Sequence, residues 1–312
     1  MKSRSFSRRL AFAAAFGAIV SGAHAERAFL INGLDEKVGF DESGRPVFEA
    51  PGRDLVNIMD IGTDPSHPRT VANLPLMNSL FGPPTNLQIT PDEKLALVAN
   101  AMQWVQEAGQ WKPAPDNRLF VIDLQAQPPV LRETIEIGRQ PSGIAISRRG
   151  DLALVANRAD KSVSVLAIDG ADVRFLGTVP VDDEVAAVAI APDGRRALAL
   201  KNTVNKVAVL EIDARTVTYD KSMDMPVGQF PYNLDITPNG RIALVAHTGN
   251  GGRSDGNADP MAVIDLAHNP PRVIDYLSVG DAPEAFAISP TGKIAAALLL
   301  GGEVLLPKDH WG

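Results

Sequence analysis

Short apolar runs alternate with polar turns along most of the chain, and one apolar hexamer, LALVAN, is written twice, at residues 95–100 and 152–157. Aligned on the turn before that run, five copies of one unit emerge: LQITPDEKLALVAN (87–100), IAISRRGDLALVAN (144–157), VAIAPDGRRALALK (188–201), LDITPNGRIALVAH (234–247) and FAISPTGKIAAALL (286–299). Two apolar runs joined by Pro-Asp-Gly or Pro-Asn-Gly predict a β-hairpin. A further run follows each of the first four copies and mostly ends in an acid: RLFVIDL (118–124), SVSVLAID (162–169), KVAVLEID (206–213) and MAVIDL (261–266). A fourth completes the unit: VLRETIEI (130–137), VRFLGTVPV (173–181), RTVTYDKSM (215–223) and RVIDYLSV (272–279). The third turn position, at Glu93, Gly150, Gly194, Gly240 and Gly292, recurs at spacings of 57, 44, 46 and 52 residues, and four antiparallel strands at a period near the shorter of these describe one blade of a β-propeller. No segment beyond the first 25 residues shows helical periodicity.

LALVAN does not alternate apolar and polar residues, so both its faces are expected to be buried, as for a second strand sandwiched between neighbouring blades. Ala96 and Ala99 suit the taper toward the axis. Asn100 and Asn157 stand where the strand leaves the sheet, and tolerance of tight exit turns is the expected reason for asparagine there. The acids Asp60, Asp123, Asp169, Asp213 and Asp265 recur once per blade and are expected to cap the following turn.

Residues 1–25 combine a basic start (Lys2, Arg4, Arg8, Arg9), an apolar stretch from Leu10 to Val20 and small residues Ala23 and Ala25. This is the pattern of a cleaved signal peptide, and its paired arginines suit twin-arginine export, so a periplasmic or secreted protein is expected. Residues 26–312 then form a single β-propeller domain. The net charge of −7 becomes more negative when the four basic leader residues go, which disfavours a nucleic-acid partner. No later apolar run is long enough for a stable membrane span. The absence of cysteine excludes disulfides, thiolate metal sites, a cysteine nucleophile and covalently attached c-type haem.

The repeat units, with Gly-x-x-Pro lead-ins in GRQPSG (138–143), GQFPYN (228–233) and GDAPEA (280–285), resemble the YVTN-type β-propeller repeat family, grouped with the lactonase-like seven-bladed propellers. The matching positions are Leu97 to Asn100, Leu154 to Asn157 and Leu244 to His247; Lys201 and Leu299 depart from the asparagine. The resemblance covers about residues 27–300 and implies seven blades. The N-terminal region supplies three strands (28–34, 55–61, 69–76), four complete blades follow, and two strands end the pattern. The expectation is a seven-bladed type truncated at its C-terminus, with about five blades present; an open ring or an irregular five-bladed closure is the alternative.

Function is expected where the repeat is broken, on the face shared by the loops between second and third strands and the loops entering the innermost strands. The lead-in positions there are Thr85 and Asn86, Ser142 and Gly143, Ala186 and Ala187, Tyr232 and Asn233, and Glu284 and Ala285. With the exit residues Asn100, Asn157, Lys201 and His247 they form a ring able to bind a polar or anionic small molecule, or simply to satisfy turn backbone and hold channel water. Two insertions share this face: 101–117, read as a loop carrying Trp104 and Trp111, and 248–260, where Asp255, Asn257 and Asp259 have a calcium-like spacing without the bidentate acid, that position being Leu266. The first functional reading is a scaffold for a protein, glycan or small polar ligand, touching Asn86, Asn100, Trp104, Asn157, Tyr232 and Asn233. The second, implied by the resemblance, is a lactonase-like hydrolase with His247, Lys201 and Glu284 as base and cation. Against it, no Gly-x-Ser-x-Gly or His-Glu-x-x-His is present, and His67, His247, His268 and His310 are scattered. No cofactor is expected; a haem d1 or quinoprotein propeller would need ligands that are not visible.

Overall fold

The computed structural model describes residues 28–41, 46–79, 81–249 and 255–300. The leader, residues 1–25, and His310 lie outside them. The described chain is a propeller of antiparallel sheets. The first sheet joins β1 (Phe29–Leu34), β4 (Leu55–Asp60) and β5 (Arg69–Leu74), with a hairpin of β2 (Val38–Phe40) and β3 (Pro46–Phe48) inserted between β1 and β4. Four complete blades follow: β6 (Leu87–Ile89) to β9 (Val130–Glu136) through β7 (Leu95–Glu107) and β8 (Gln110–Asp123); β10 (Pro141–Ile146), β11 (Leu152–Asn157), β12 (Ser162–Asp169) and β13 (Asp172–Pro180); β14 (Val185–Ile190), β15 (Arg196–Lys201), β16 (Lys206–Asp213) and β17 (Thr216–Tyr219); then, after β18 (Met225–Pro226), β19 (Pro231–Ile236), β20 (Ile242–His247), β21 (Asp259–Asp265) and β22 (Arg272–Gly280). A two-stranded sheet, β23 (Pro283–Ile288) and β24 (Ala295–Leu299), ends the described array.

Three details depart from the sequence reading. Residues 101–117 are not a loop: β7 and β8 run on past the blade as a paired hairpin, from Met102 opposite Pro115 to Glu107 opposite Gln110. The hairpin β2–β3 carries no repeat signature and was not expected. The fourth strand of the third complete blade stops at Tyr219, because Asp220 accepts the Ser222 amide (2.9 Å) and starts a single 3-10 turn. The chain then returns as β18, pairing β16 at Lys206 and Val207.

The hexamer has a two-sided explanation. Side chains alternate across a strand, and those of LALVAN are divided between two cores. Leu152, Leu154 and Ala156 pack toward the next blade, against Val185, Ala197 and Ala199, while Ala153 and Val155 pack toward the previous one, against Leu97, Ala99 and Val121. In the earlier copy Leu95, Leu97 and Ala99 face forward and Ala96 and Val98 face back onto Val56 and Ile58. Every residue of β11 is buried, as expected for a strand enclosed on both faces. The turns before these strands hold Gly150, Gly194, Gly240 and Gly292 at φ near +70°, a left-handed conformation that glycine enters at no steric cost; Glu93 adopts φ +54° in the same role.

Candidate functional site

The exit residues of the second strands prove to be structural. Asn157 is fully buried; its carboxamide oxygen accepts from the Ser162 and Ser164 hydroxyls (3.0 and 2.9 Å) and its nitrogen donates to Gly138 O (3.3 Å). It therefore ties the lead-in of β10 to β12, and its backbone is not left-handed, so the expected turn tolerance is not why asparagine is there. Asn100 donates to the buried Asp116 carboxylate, which Arg118 also holds through Nη2 at 2.6 Å. Lys201 is buried against Asp182 (2.6 Å), Asp224 (2.7 Å) and Tyr219 Oη (3.1 Å). Burial alone would lower its pKa, but the two carboxylates hold it above the ordinary lysine value. His247 is fully buried, with Nδ1 at 3.2 Å from Pro260 O and Nε2 without a partner; burial pushes its pKa down to about 4.

These four residues occupy one socket, varied from blade to blade. A Cβ on Gly138 would overlap the Asn157 carboxamide, and one on Gly228 would come 3.0 Å from the His247 ring. In the blade where lysine replaces asparagine, Asp182 stands at the glycine position and pairs with it. The Gly-x-x-Pro lead-in and the exit residue are thus one packing unit. Lys201 is already neutralised and His247 is enclosed, so the proposed convergence of His247, Lys201 and Glu284 is not found: no hydrogen bond or ion pair joins them among the described residues.

Other expected ligand residues are also packed into the interior, though Trp104 Nε1 has no hydrogen-bond partner. Asn86 is buried and donates to Ala99 O (3.1 Å); Asn233 is buried opposite Ala246. Trp104 does not stand free on a loop. It packs against Phe48 and Phe81 with ring centres 6.2 and 6.1 Å away, and Lys37 lies 4.8 Å above its ring. Lys37, fully buried, is held by Asp35 (3.0 Å), Asp54 and Asn78 O (2.6 Å). The calcium-like acids serve backbone: Asp255 accepts from the Asn257 amide (3.0 Å) and Asp259 from that of Ala282 (2.9 Å). Among the described residues no group of three His, Cys, Asp or Glu is placed to hold a metal ion. Of the blade-end acids, Asp60, Asp123 and Asp265 cap the next turn as expected, whereas Asp169 pairs with Arg174 (2.9 Å) and Arg215 of the following blade.

One cluster does converge across the axis. Tyr232, near the start of β19, has its hydroxyl close enough to the Arg158 guanidinium at the exit of β11, and to the amide of Gly82 in the linker into β6, for both to act on it, and Glu284, near the start of β23, is near enough for its charge to act on the phenol. Burial, with a smaller contribution from Glu284, pushes the Tyr232 pKa up to about 12, and burial raises that of Glu284. Gly82 lies against Ser142, where a Cβ would come 2.6 Å from Oγ, and Gly143 lies against Thr85 and Ala187. Here Thr85 Oγ1, Ser142 Oγ and Arg158 Nε are buried without a hydrogen-bond partner. Arg158 Nη2 is 3.5 Å from Glu184. Thr85, Ser142, Tyr232 and Glu284 were legible as lead-in positions; Arg158, Gly82 and Glu184 were missed. The available signal was the residue after each second strand, which runs Ala101, Arg158, Asn202, Thr248.

No family model and no curated protein sequence matches the chain. Solved structures do. A Kuenenia stuttgartiensis hydrazine synthase chain is 19% identical, with TM-score 0.56, over 71% of this chain and 56% of that one, so the match spans little more than half of that chain. The "putative 6-phosphogluconolactonase" of Bacteroides fragilis is 11% identical, with TM-score 0.53, over 89% of both chains. The β-propeller domain of Myceliophteria thermophila Cps50 (Swd1) is 12% identical, with TM-score 0.51, over 69% and 62%. At these identities the likeness establishes a β-propeller, and the YVTN repeat remains a resemblance.

Proposed function

We propose that this propeller acts outside the cytoplasm as a binding scaffold whose ligand, a small polar molecule, occupies the axial cluster of Thr85, Ser142, Arg158, Tyr232 and Glu284. The observation that carries the reading is the set of unpartnered buried atoms, Thr85 Oγ1, Ser142 Oγ and Arg158 Nε, on side chains brought together from different blades. A buried polar atom without a partner costs about 1–3 kcal/mol, so a ligand supplying partners recovers that cost. The leader pattern of residues 1–25 supports the location; N-terminal sequencing of protein from the extracytoplasmic fraction, beginning near Glu26, is the expected result. Binding is tested by a thermal-shift and NMR screen of sugars, hydroxy acids and lactones. Tyr232→Phe should weaken a hit three- to tenfold, as expected for about 1 kcal/mol of lost hydrogen bonding. A hit that folded Tyr232→Phe and Arg158→Gln bind unchanged would put the site elsewhere.

A second reading, hydrolysis of a small sugar-type lactone, is supported by Glu284, whose pKa burial raises and whose charge reaches the Tyr232 phenol, as suits a general base. It requires lactone turnover that Glu284→Gln abolishes and His247→Ala leaves intact.

A further inference from the structure

Resting on the axial-cluster reading, we infer that the ligand is a small hydroxylated monocarboxylate, with its carboxylate on the Nε edge of Arg158 and its hydroxyls on Thr85, Ser142 and Glu284. The guanidinium supports this first. Nε and Nη2 form the edge that grips a carboxylate with two parallel hydrogen bonds. In Arg158 that edge is only loosely engaged: Nε is buried and unpartnered, and Nη2 is 3.5 Å from Glu184 Oε2, longer than the 2.7–2.9 Å of a charge-assisted bond. The other arginines of the exit region are occupied; Arg118 holds Asp116 at 2.6 Å and Arg139 holds Asp160 at 2.7 Å.

The hydroxyls are the second observation. Ser142 is 1% exposed and its Oγ has no partner; Thr85 is only partly buried, but its Oγ1 is likewise enclosed without one. A hydroxyl both donates and accepts, so the pair matches carboxylate oxygens or ligand hydroxyls equally well. Close backbone walls limit the size of the ligand. Gly82 abuts Ser142, and a Cβ on Gly143 would come 2.8 Å from Ala187 Cα.

Charge selects the monoanion. Arg158 is the cation of the cluster; Glu184 stands beside it, and the charge of Glu284 reaches the Tyr232 phenol. A dianion such as a phosphate monoester would bring a second negative charge against those acids with only Arg158 to offset it. A neutral polyol would leave Arg158 Nε facing a weaker acceptor.

Glycerate, glycerol and glycerol 1-phosphate separate these cases by titration calorimetry or ligand-observed NMR on the mature protein. Glycerate should bind at least tenfold more tightly than either. Arg158→Gln should remove that preference and Arg158→Lys should restore part of it, both variants keeping the wild-type melting temperature within a few degrees. Glycerol binding as tightly as glycerate, or glycerol 1-phosphate binding more tightly, would overturn the carboxylate inference and leave the axial site standing. Hits from the wider screen that ignore both Tyr232→Phe and Arg158→Gln would overturn the site itself.

Discussion

His247 shows what one substitution within a repeat can do. Where the first two complete blades have asparagine, this blade encloses an imidazole over Gly228, with one nitrogen on Pro260 O and the other unpartnered. Its folded pKa, about 4, lies below the ordinary 6.5, so on acidification the unfolded chain takes up the proton first. Stability is complete above about pH 6.5 and is lost as pH falls toward 4, by up to about 3 kcal/mol. Glu284 and Asp235, whose pKa values burial raises, change stability in the opposite sense, gaining as pH falls. The comparison therefore has to be between wild type and His247→Asn. Urea midpoints at pH 7 and pH 4.5 should fall further for wild type, and equal slopes in the two proteins would refute the assignment.

At the level of strands and their lead-ins, the coupled unit is the Gly138 turn with the exit of β11. Gly138→Ala should cost about 1–3 kcal/mol by overpacking against Asn157. In an Asn157→Ala background the same change should cost much less, because the atoms it strikes have gone, and chemical denaturation of the four-protein cycle measures that coupling. Additive costs would mean that the glycine serves its own backbone instead. The same unit explains what the sequence could and could not reveal. Turns, apolar runs and the glycine lead-ins are local patterns, and β10 to β16 and β19 to β24 fall close to where those patterns put them. The role of Asn157 was hidden because Ser162, Ser164 and Gly138 are neighbours only after three strands pair. Arg158 was hidden for a related reason: it reaches Tyr232 across the axis, and no spacing along the chain records that distance. The β7–β8 extension was misread as a loop because its Trp, Pro and Gly content masks a ladder that backbone pairing maintains.

Across the whole molecule, apolar surface is unevenly covered. The outer blades leave Ile274, Tyr276, Leu277 and Leu298 about half exposed or more, beside a groove of 330 Å³ lined by Leu244, Met261, Leu277, Val279, Ala295, Ala297 and Leu299. Patches of this kind promote association. Sedimentation velocity should show mass rising with concentration, and Leu277→Glu with Leu298→Glu should suppress it while changing stability by less than about 0.5 kcal/mol each, as is usual at exposed positions. A monomer at all concentrations would show that this face is protected in solution. No helix among the described residues is long and apolar enough to cross a membrane. The forward-and-back division of LALVAN has a consequence for how the molecule comes apart. Because β11 gives leucines to one neighbour and smaller side chains to the other, detaching a central blade strips two interfaces at once, whereas, among the described residues, β23 packs chiefly against the preceding blade. The central blades, each sharing a core with both neighbours, should therefore unfold as a single cooperative block, read as uniform hydrogen-exchange protection across β7, β11, β15 and β20.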